Sequence, residues 1–203
     1  LSRNIDRLHS IVNSMLDIAK IDEGLLEKFE EEVVLNKILE SVSAEFTTAL
    51  TARHLELTMT GIEQLPPIPA DGQLLFKVFY HLLVNAIKYT PDGGKIVIKG
   101  VISEVEEDEP MVEVTFHDTG IGIDPEHHEL IFKKFYQTGK VELHSSGQVK
   151  FKGGGAGLGL AIARGIVLAH GGKIWVESIG HDEEKCPGSY FHVQLPLNRA
   201  GMT

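Results

Sequence analysis

The apolar residues Leu74, Leu75, Val78, Phe79, Leu82, Leu83, Ala86 and Ile87 recur in i, i+4 pairs along one stretch of the chain. That spacing draws a broad apolar stripe down one side of a helix, and the rest of the fold has to cover it. The helix is predicted to open near Asp71 and to stop before Pro91, which cannot continue it. On its other side Lys77, His81, Asn85 and Lys88 follow one another at four, four and three residues, so they share a face. A helix packed firmly along one side holds the opposite side still. That polar face is the candidate functional surface.

Composition narrows the classes. A chain of 203 residues has room for one good-sized domain and a smaller piece. No run of about 18 uncharged apolar residues occurs, so no membrane-spanning helix is expected. Arg3, Asp6 and Arg7 interrupt the first residues, unlike a signal peptide. A cytoplasmic location is the expectation, with a parent protein that is free to be membrane-anchored. Cys186 is alone and excludes an intrachain disulfide. The formal net charge of −10 argues against nucleic-acid binding, which needs a basic footprint. A polyphosphate ligand would have to find local basic groups, amide dipoles or a metal.

Residues 1 to about 23 read as an amphipathic helix stopped by Gly24. Its apolar positions Ile5, Leu8, Ile11, Val12, Met15, Leu16, Ile18 and Ala19 make a stripe wide enough for a helical bundle; docking on its own domain is the alternative. Residues 25–35 look like a linker entering a strand. A helix over about 36–53, a strand over 55–60 and a loop at Pro66–Pro69 follow. Beyond the 71–90 helix come a strand over 95–105, an acidic hairpin tip at 104–109 and a return strand over 111–117. A glycine turn at 118–123 and a short helix from Asp124-Pro125 to about Phe135 come next. Residues 137–156 form a long aperiodic loop, of the kind that acts as a lid or is disordered. A helix over about 157–170 and strands over 173–178 and 189–195 complete the chain. Hairpin-joined strands grouped with helices predict an α+β fold: a two-layer α/β sandwich, one mixed sheet with helices on one face, preceded by one long bundle helix.

Val112, Val114 and Phe116 share one strand face by period two, and Asp118 has the same parity. It is therefore predicted to point toward the packed side, where a carboxylate needs a donor. Two readings stand open: a cap for the Thr119-Gly120 turn, or an acceptor for a ligand amine such as the exocyclic amino group of adenine. Guanine offers a carbonyl at that place and would be rejected. Gly120 and Gly122 permit close backbone approach to a flat ligand. The cluster from Gly153 to Gly159 opens a helix directly, and bare amides at a helix start make an anion site. A flexible loop is the plainer reading. The glycines do not fit Gly-x-Gly-x-x-Gly, since Leu160 occupies the third position, and no lysine after a glycine leads to Ser or Thr as in a P-loop. Asn85 is a neutral oxygen ligand suited to Mg²⁺, Lys88 is placed to meet a phosphate, and Tyr89 to stack on a base.

Four segments, Asn85–Pro91, Asp118–Ile123, Phe132–Tyr136 and Gly155–Leu160, resemble in order the N, G1, F and G2 boxes of sensor histidine kinases. These belong to the GHKL ATPases, shared with type II topoisomerases, mismatch-repair clamps and heat-shock chaperones. The stretch His170–Ser178 and the run from Gly188 to Pro196 also resemble that kinase domain. The resemblance covers about residues 25–197. It implies the GHKL fold over 25–200 with an ATP lid at about 136–156, its base anchored by Phe132 and Phe135. Residues 1–24 resemble the second helix of the dimerisation and phosphoacceptor hairpin.

The resemblance also implies ATP and Mg²⁺ as cofactors. Asn85 would ligate the metal, Lys88 would touch phosphate, and Tyr89 would pack on adenine with Asp118 binding its amino group. Gly120, Gly122 and Ile123 would shape the pocket. Tyr136 and the run Gly155, Ala156, Gly157, Leu158, Gly159 and Leu160 would complete it. A response-regulator receiver domain would be the partner, in a homodimer formed through the hairpin helices, with no nucleic acid and no membrane contact. Three departures stand out. His81 replaces the first asparagine usual in the N box, which leaves three readings open: a second metal ligand through nitrogen, a phosphate contact, or a solvent-facing side chain, with an accessory role at the site preferred. Gln137 stands where an arginine is frequent, leaving lid charge to Lys140, Lys150 or Lys152. No histidine followed by Glu or Asp and then Arg-Thr-Pro occurs; His128-Glu129-Leu130 only mimics its start, and His9 is on the second-helix stripe. The phosphoacceptor is thus expected on a longer parent. The rival readings are a non-catalytic nucleotide-binding regulatory or phosphatase module, and an ATP-gated clamp.

Overall fold

The computed structural model describes residues 2–103, 110–137, 151 and 156–197. The acidic tip at 104–109 and most of the expected lid, with Lys140, Lys150, Lys152 and Gly155, lie outside the described residues.

The first helix, α1 (Ser2–Asp22), stops as its sequence predicts. Gly24 takes φ +65°, and Leu25 N–H returns to the Lys20 carbonyl at 2.8 Å. Its apolar stripe is divided between two uses. Ile18 is buried and Ile21 lies against Gly165, where an added Cβ would stand 2.5 Å from the isoleucine. Leu8, Val12, Met15 and Leu16 remain 46–60% exposed. The helix therefore docks on its own domain by one edge and leaves the other edge open.

A short strand, β1 (Glu31–Val33), leads into α2 (Leu35–Glu45) and α3 (Thr47–Ala52). The single helix expected over 36–53 is broken at Phe46, which leaves helical geometry at φ −106°, ψ 3°. Hydroxyls compete with the ladder there: Ser43 Oγ donates to the Leu39 carbonyl and Thr47 Oγ1 to that of Ala44. The break lets Phe46 bury itself against Tyr80, with ring centroids 5.0 Å apart. After β2 (Glu56–Thr60), the expected proline loop contains a further strand, β3 (Ile68–Ala70), paired antiparallel with β1. Pro69 sits opposite Glu32 in this two-stranded ribbon, where both strands are edges and a missing N–H is tolerated.

The main helix is α4 (Gly72–Tyr89), and all of its predicted stripe residues are buried. Beyond it come β4 (Lys95–Ser103) and β5 (Met111–Asp118). The short helix expected over 124–135 is instead two 3₁₀ turns, Pro125–His127 and Leu130–Phe132, because its apolar residues cluster at one end and give no stripe to pack. Last come α5 (Gly159–Ala169), β6 (Lys173–Glu177) and β7 (Ser189–Pro196).

The five-stranded sheet runs β2-β4-β5-β7-β6, with β2 parallel to β4 and every other pair antiparallel. One face buries Ile96, Ile98, Val112, Val114, Phe116, Phe191, Val193 and Leu195 under the helices. The other carries Glu113, Thr115, His117, His192 and Gln194. This is the two-layer α+β sandwich with a mixed sheet. Among the described residues no helix is long and apolar enough to cross a membrane.

Asp71 fixes where α4 begins. Its Oδ1 accepts the N–H groups of Gln73 and Leu74 at 3.0 Å each, and its Oδ2 accepts Phe29 N–H at 2.9 Å. Burial pushes its pKa up, but the donors from Phe29, Leu74 and Gln73, with His170 adding a smaller pull, hold it below the usual carboxylate range. Its stabilisation is therefore present above the unfolded-state pKa and is lost as pH falls through the lower folded value. Asp71→Ala is expected to cost about 1–2 kcal/mol. Thermal unfolding at pH 7 should fall by about 2–8 °C, a difference that narrows in acid.

Candidate functional site

The inward parity of β5 puts Asp118 beneath the helices at the end of the strand, only 2% exposed. Its Oδ1 accepts Gly120 N–H at 2.9 Å. Burial pushes the carboxyl up to about 7, against hydrogen bonds from Gly120 N–H and from the hydroxyl and N–H of Ser189. Ser189 faces Asp118 across the β5–β7 pair and is itself buried. It was missed in the sequence, although a signal existed: Ser189, Phe191, Val193 and Leu195 alternate, which places a hydroxyl at an inward position. The sequence left turn cap and ligand acceptor open for Asp118. The cap is present, and it uses one oxygen of a carboxylate whose burial it only partly offsets.

The turn after Asp118 is tied on three sides. Ile121 N–H reaches the Tyr89 carbonyl at 3.1 Å, Thr119 N–H the Lys95 carbonyl at 3.0 Å, and Gly188 N–H the Gly120 carbonyl at 2.8 Å. Ile123 N–H donates to Ser178 Oγ at 3.0 Å, and that hydroxyl donates to the Gly188 carbonyl at 2.7 Å. Both expected glycines are required by contact. A Cβ on Gly120 would lie 2.5 Å from Asp118 Oδ1 and from the Tyr89 carbonyl oxygen. One on Gly122, at φ +72°, would lie 2.0 Å from the Gly180 carbonyl oxygen.

Tyr89 therefore joins the turn to the polar face of α4. Lys88 Nζ stands 4.7 Å from the centroid of the Tyr89 ring. Asn85 is half-buried one turn back, and His81 one turn further. His81 sits against the start of α5: a Cβ on Gly159 would lie 2.8 Å from its Nδ1. Desolvation pushes its pKa down to about 4, with Asp17 opposing the fall and Lys77 adding to it. Asp17 of α1 pairs with Lys77 at 2.8 Å beside it. From His81 to Tyr89 the face spans about 12 Å. Arg53, which no local pattern singled out, closes the far end. Its guanidinium donates to the Ile87 and Thr90 carbonyls and pairs with Asp92 at 2.7 Å, capping α4 at its negative pole.

The second glycine cluster meets this face at its His81 end. The helix expected from Gly157 starts at Gly159, because Gly157 takes φ +67° and gives its carbonyl to Phe135 N–H at 2.8 Å. The Gly159, Leu160 and Ala161 N–H groups occupy the first turn of α5, where a helix has no acceptor of its own to offer. Leu158 is buried in the core, and Ala156 and Leu160 pack against it, so this run offers main chain rather than side chains. Tyr136 is hydrogen-bonded to His127 Nδ1 at 2.8 Å. Of the two phenylalanines expected to anchor the lid base, Phe132 is buried beneath Arg164 and near Phe191. Phe135 is 61% exposed at φ +61°, and what holds it is its backbone N–H on the Gly157 carbonyl.

Arranged this way, Asp118, Gly120 and Tyr89 form a buried acceptor end, and His81 with the α5 N-terminus forms a donor-rich end. Asn85 and Lys88 lie between them. Among the described residues no group of three or more His, Cys, Asp and Glu could hold a metal ion. A cation here would rest on the Asn85 oxygen, with His81 as a neutral nitrogen nearby, and on oxygens brought by a ligand.

Known proteins are similar to this chain in sequence and fold. The adaptive-response sensory kinase SasA of Microcystis aeruginosa (strain NIES-843 / IAM M-2473) is 32% identical over 193 residues, covering 93% of this chain and 46% of its own length. The full-length ShkA crystal structure in complex with AMPPNP superposes with a TM-score of 0.75 at 26% identity, over 94% of this chain and 36% of that one. Histidine kinase ThkA in complex with the response regulator protein TrrA gives a TM-score of 0.67 at 26% identity, over 97% and 49%. The chain spans under half the length of the curated relatives it matches here. Residues 70–199, from β3 through the last strand, match the family described as histidine kinase-, DNA gyrase B-, and HSP90-like ATPase, and the chain belongs to that family.

Proposed function

We propose that this chain is the ATP-binding catalytic region of a sensor histidine kinase. In this reading it transfers the γ-phosphoryl group of ATP to a histidine on a helical hairpin of the same protein, for relay to an aspartate of a response-regulator receiver domain. The observation that carries the reading is Asp118: a buried carboxylate at the closed end of a rigid polar face, whose donors from Gly120 and Ser189 only partly offset its burial and to which an adenine amine would add another. SasA relatives are named as sensory kinases, and ThkA was crystallised with a response regulator.

Asp118 would accept from the adenine amino group, with Ser189 and Gly120 holding its carboxylate in place. Gly120, Gly122 and Ile123 would line the base, and the Tyr89 ring would pack on it. The main-chain N–H groups from Gly155 to Leu160 would meet phosphate oxygens, with Lys88 and the lid lysines adding charge and Tyr136 marking the lid's start. Mg²⁺ would neutralise charge between phosphate oxygens, held on the protein side by Asn85 and reached by His81, whose low pKa keeps it neutral. In-line attack by the histidine nitrogen on the γ-phosphorus breaks its bond to the bridging oxygen and leaves ADP. The protein's part is positioning and charge neutralisation. Leu8, Val12, Met15 and Leu16, left exposed on α1, fit a dimeric hairpin bundle. A region that draws on ATP and a receiver domain would work in the cytoplasm.

Titration calorimetry with Mg²⁺-ATP and Mg²⁺-GTP tests the assignment. ATP should bind and GTP should bind about 100-fold more weakly or worse, because guanine sets a carbonyl against a carboxylate. Equal affinities would overturn the assignment of Asp118.

A further inference from the structure

We propose that the open edge of β2, with the cleft between it and α2–α3, is a docking site for an extended partner strand that alternates apolar and basic residues. The site is separate from the nucleotide face.

The strand's register supplies the first half of the argument. β2 is the outer strand of the sheet, and Glu56 N–H donates to the Gly94 carbonyl at 3.0 Å. Glu56, Thr58 and Thr60 therefore turn their main-chain groups toward β4. Alternation sends the N–H and C=O of Leu57 and Met59 to the open side. Edges are ordinarily guarded by proline, lysine or a bulge. Here Glu56-Leu57-Thr58-Met59-Thr60 has neither of those residues, and its pairing with β4 runs unbroken from Glu56↔Lys95 to Thr60↔Lys99. Exposed main-chain groups on such an edge are met by another extended strand.

The cleft supplies the second half. It measures roughly 680 Å³, with Leu50, Leu55, Leu57 and Met59 forming its apolar wall. Glu40 and Glu56 also line it, and among the described residues no lysine or arginine does. Glu40 accepts from the neutral amide of Asn36 at 2.8 Å. The Glu56–Lys95 pair is more than half exposed at both ends, so it is weak and exchangeable. A strand added beyond β2 would place alternate side chains over the apolar wall and the others beside Glu56. The first set has to be apolar, and the second is favoured when basic. A second copy of this chain would bring its own acidic edge, and the charge disfavours it.

Fluorescence anisotropy on the whole chain tests this, using labelled Val-Lys-Val-Lys-Val-Lys and Val-Glu-Val-Glu-Val-Glu as probes. The lysine peptide should bind at least tenfold more tightly than the glutamate peptide. Leu57→Pro removes an outward N–H while sparing the donors that serve β4, and it should weaken the lysine peptide at least tenfold with the circular-dichroism spectrum intact. If that variant unfolds, the double variant Glu40→Lys, Glu56→Lys decides, since it should reverse the order of the two peptides. Absence of binding, or a peptide order unmoved by the charge reversal, overturns the proposal, as does full binding by folded Leu57→Pro. A dimer in sedimentation that Leu57→Pro abolishes would assign the edge to a second copy and overturn the partner strand.

Discussion

Asp118→Ala is expected to abolish measurable ATP binding, lowering affinity by about 3–5 kcal/mol, on the order of 10²–10³-fold or more. The loss has two sources. The adenine amine would enter a dry site without its acceptor, and the donors from Gly120 and Ser189 would lose theirs. Folding should respond far less, because at neutral pH and above the native state carries a buried carboxylate that alanine removes. Calorimetry for binding and circular dichroism for stability separate the two effects. The pH dependence has a definite sign. Asp118 titrates near 7 when folded, above its ordinary 3.8, so between those values the ligand-free native state holds a proton that the unfolded chain does not. This group's contribution to stability is thus fully present at low pH and is lost as pH rises through about 7. Binding runs the other way: the ionised carboxylate is the better acceptor, so ATP affinity should rise from pH 6 to pH 8. In Asp118→Asn that rise should disappear; an unchanged profile would refute the role.

The second large effect concerns the turn itself. Gly122→Ala asks an L-residue to take φ +72° and drives its Cβ to 2.0 Å from the Gly180 carbonyl oxygen, a main-chain atom with little freedom. The conformational cost is about 1–2 kcal/mol. Overpacking adds about 1–3 kcal/mol. Unfolding should move down by on the order of 10 °C. Nucleotide binding should weaken with it, since the same turn carries the N–H groups that fix Asp118 and Ile123. A variant as stable as the parent would mean that the 178–188 loop is not packed against the turn.

How far the sequence carries depends on whether a residue's role is periodic. The buried stripe of α4, the parity of Asp118 and the stop at Gly24 are local patterns with direct physical meaning, and each has its expected place in the structure. The features that escaped are set by distant partners. β3 is a strand because β1 comes to it, and Pro69 within it and Pro66-Pro67 before it hide that fact. The break at Phe46 depends on Tyr80, more than thirty residues away. Arg53 reads as a solvated helix end until the last carbonyls of α4 are brought to it. Ser189 is the exception: its inward parity was readable by the same rule applied to Asp118.

The bond from Phe135 N–H to the Gly157 carbonyl has a consequence for how such a chain can change over generations. It brings the two ends of the intervening segment together at a fixed point, independently of what lies between. Lengthening that segment then alters only its closure entropy, about 0.6 kcal/mol for each doubling. Insertions and deletions there leave the paired ends, and the helix that begins at Gly159, where they were. The intervening segment is thereby free to diverge in length and charge among descendants while the start of α5 stays the same.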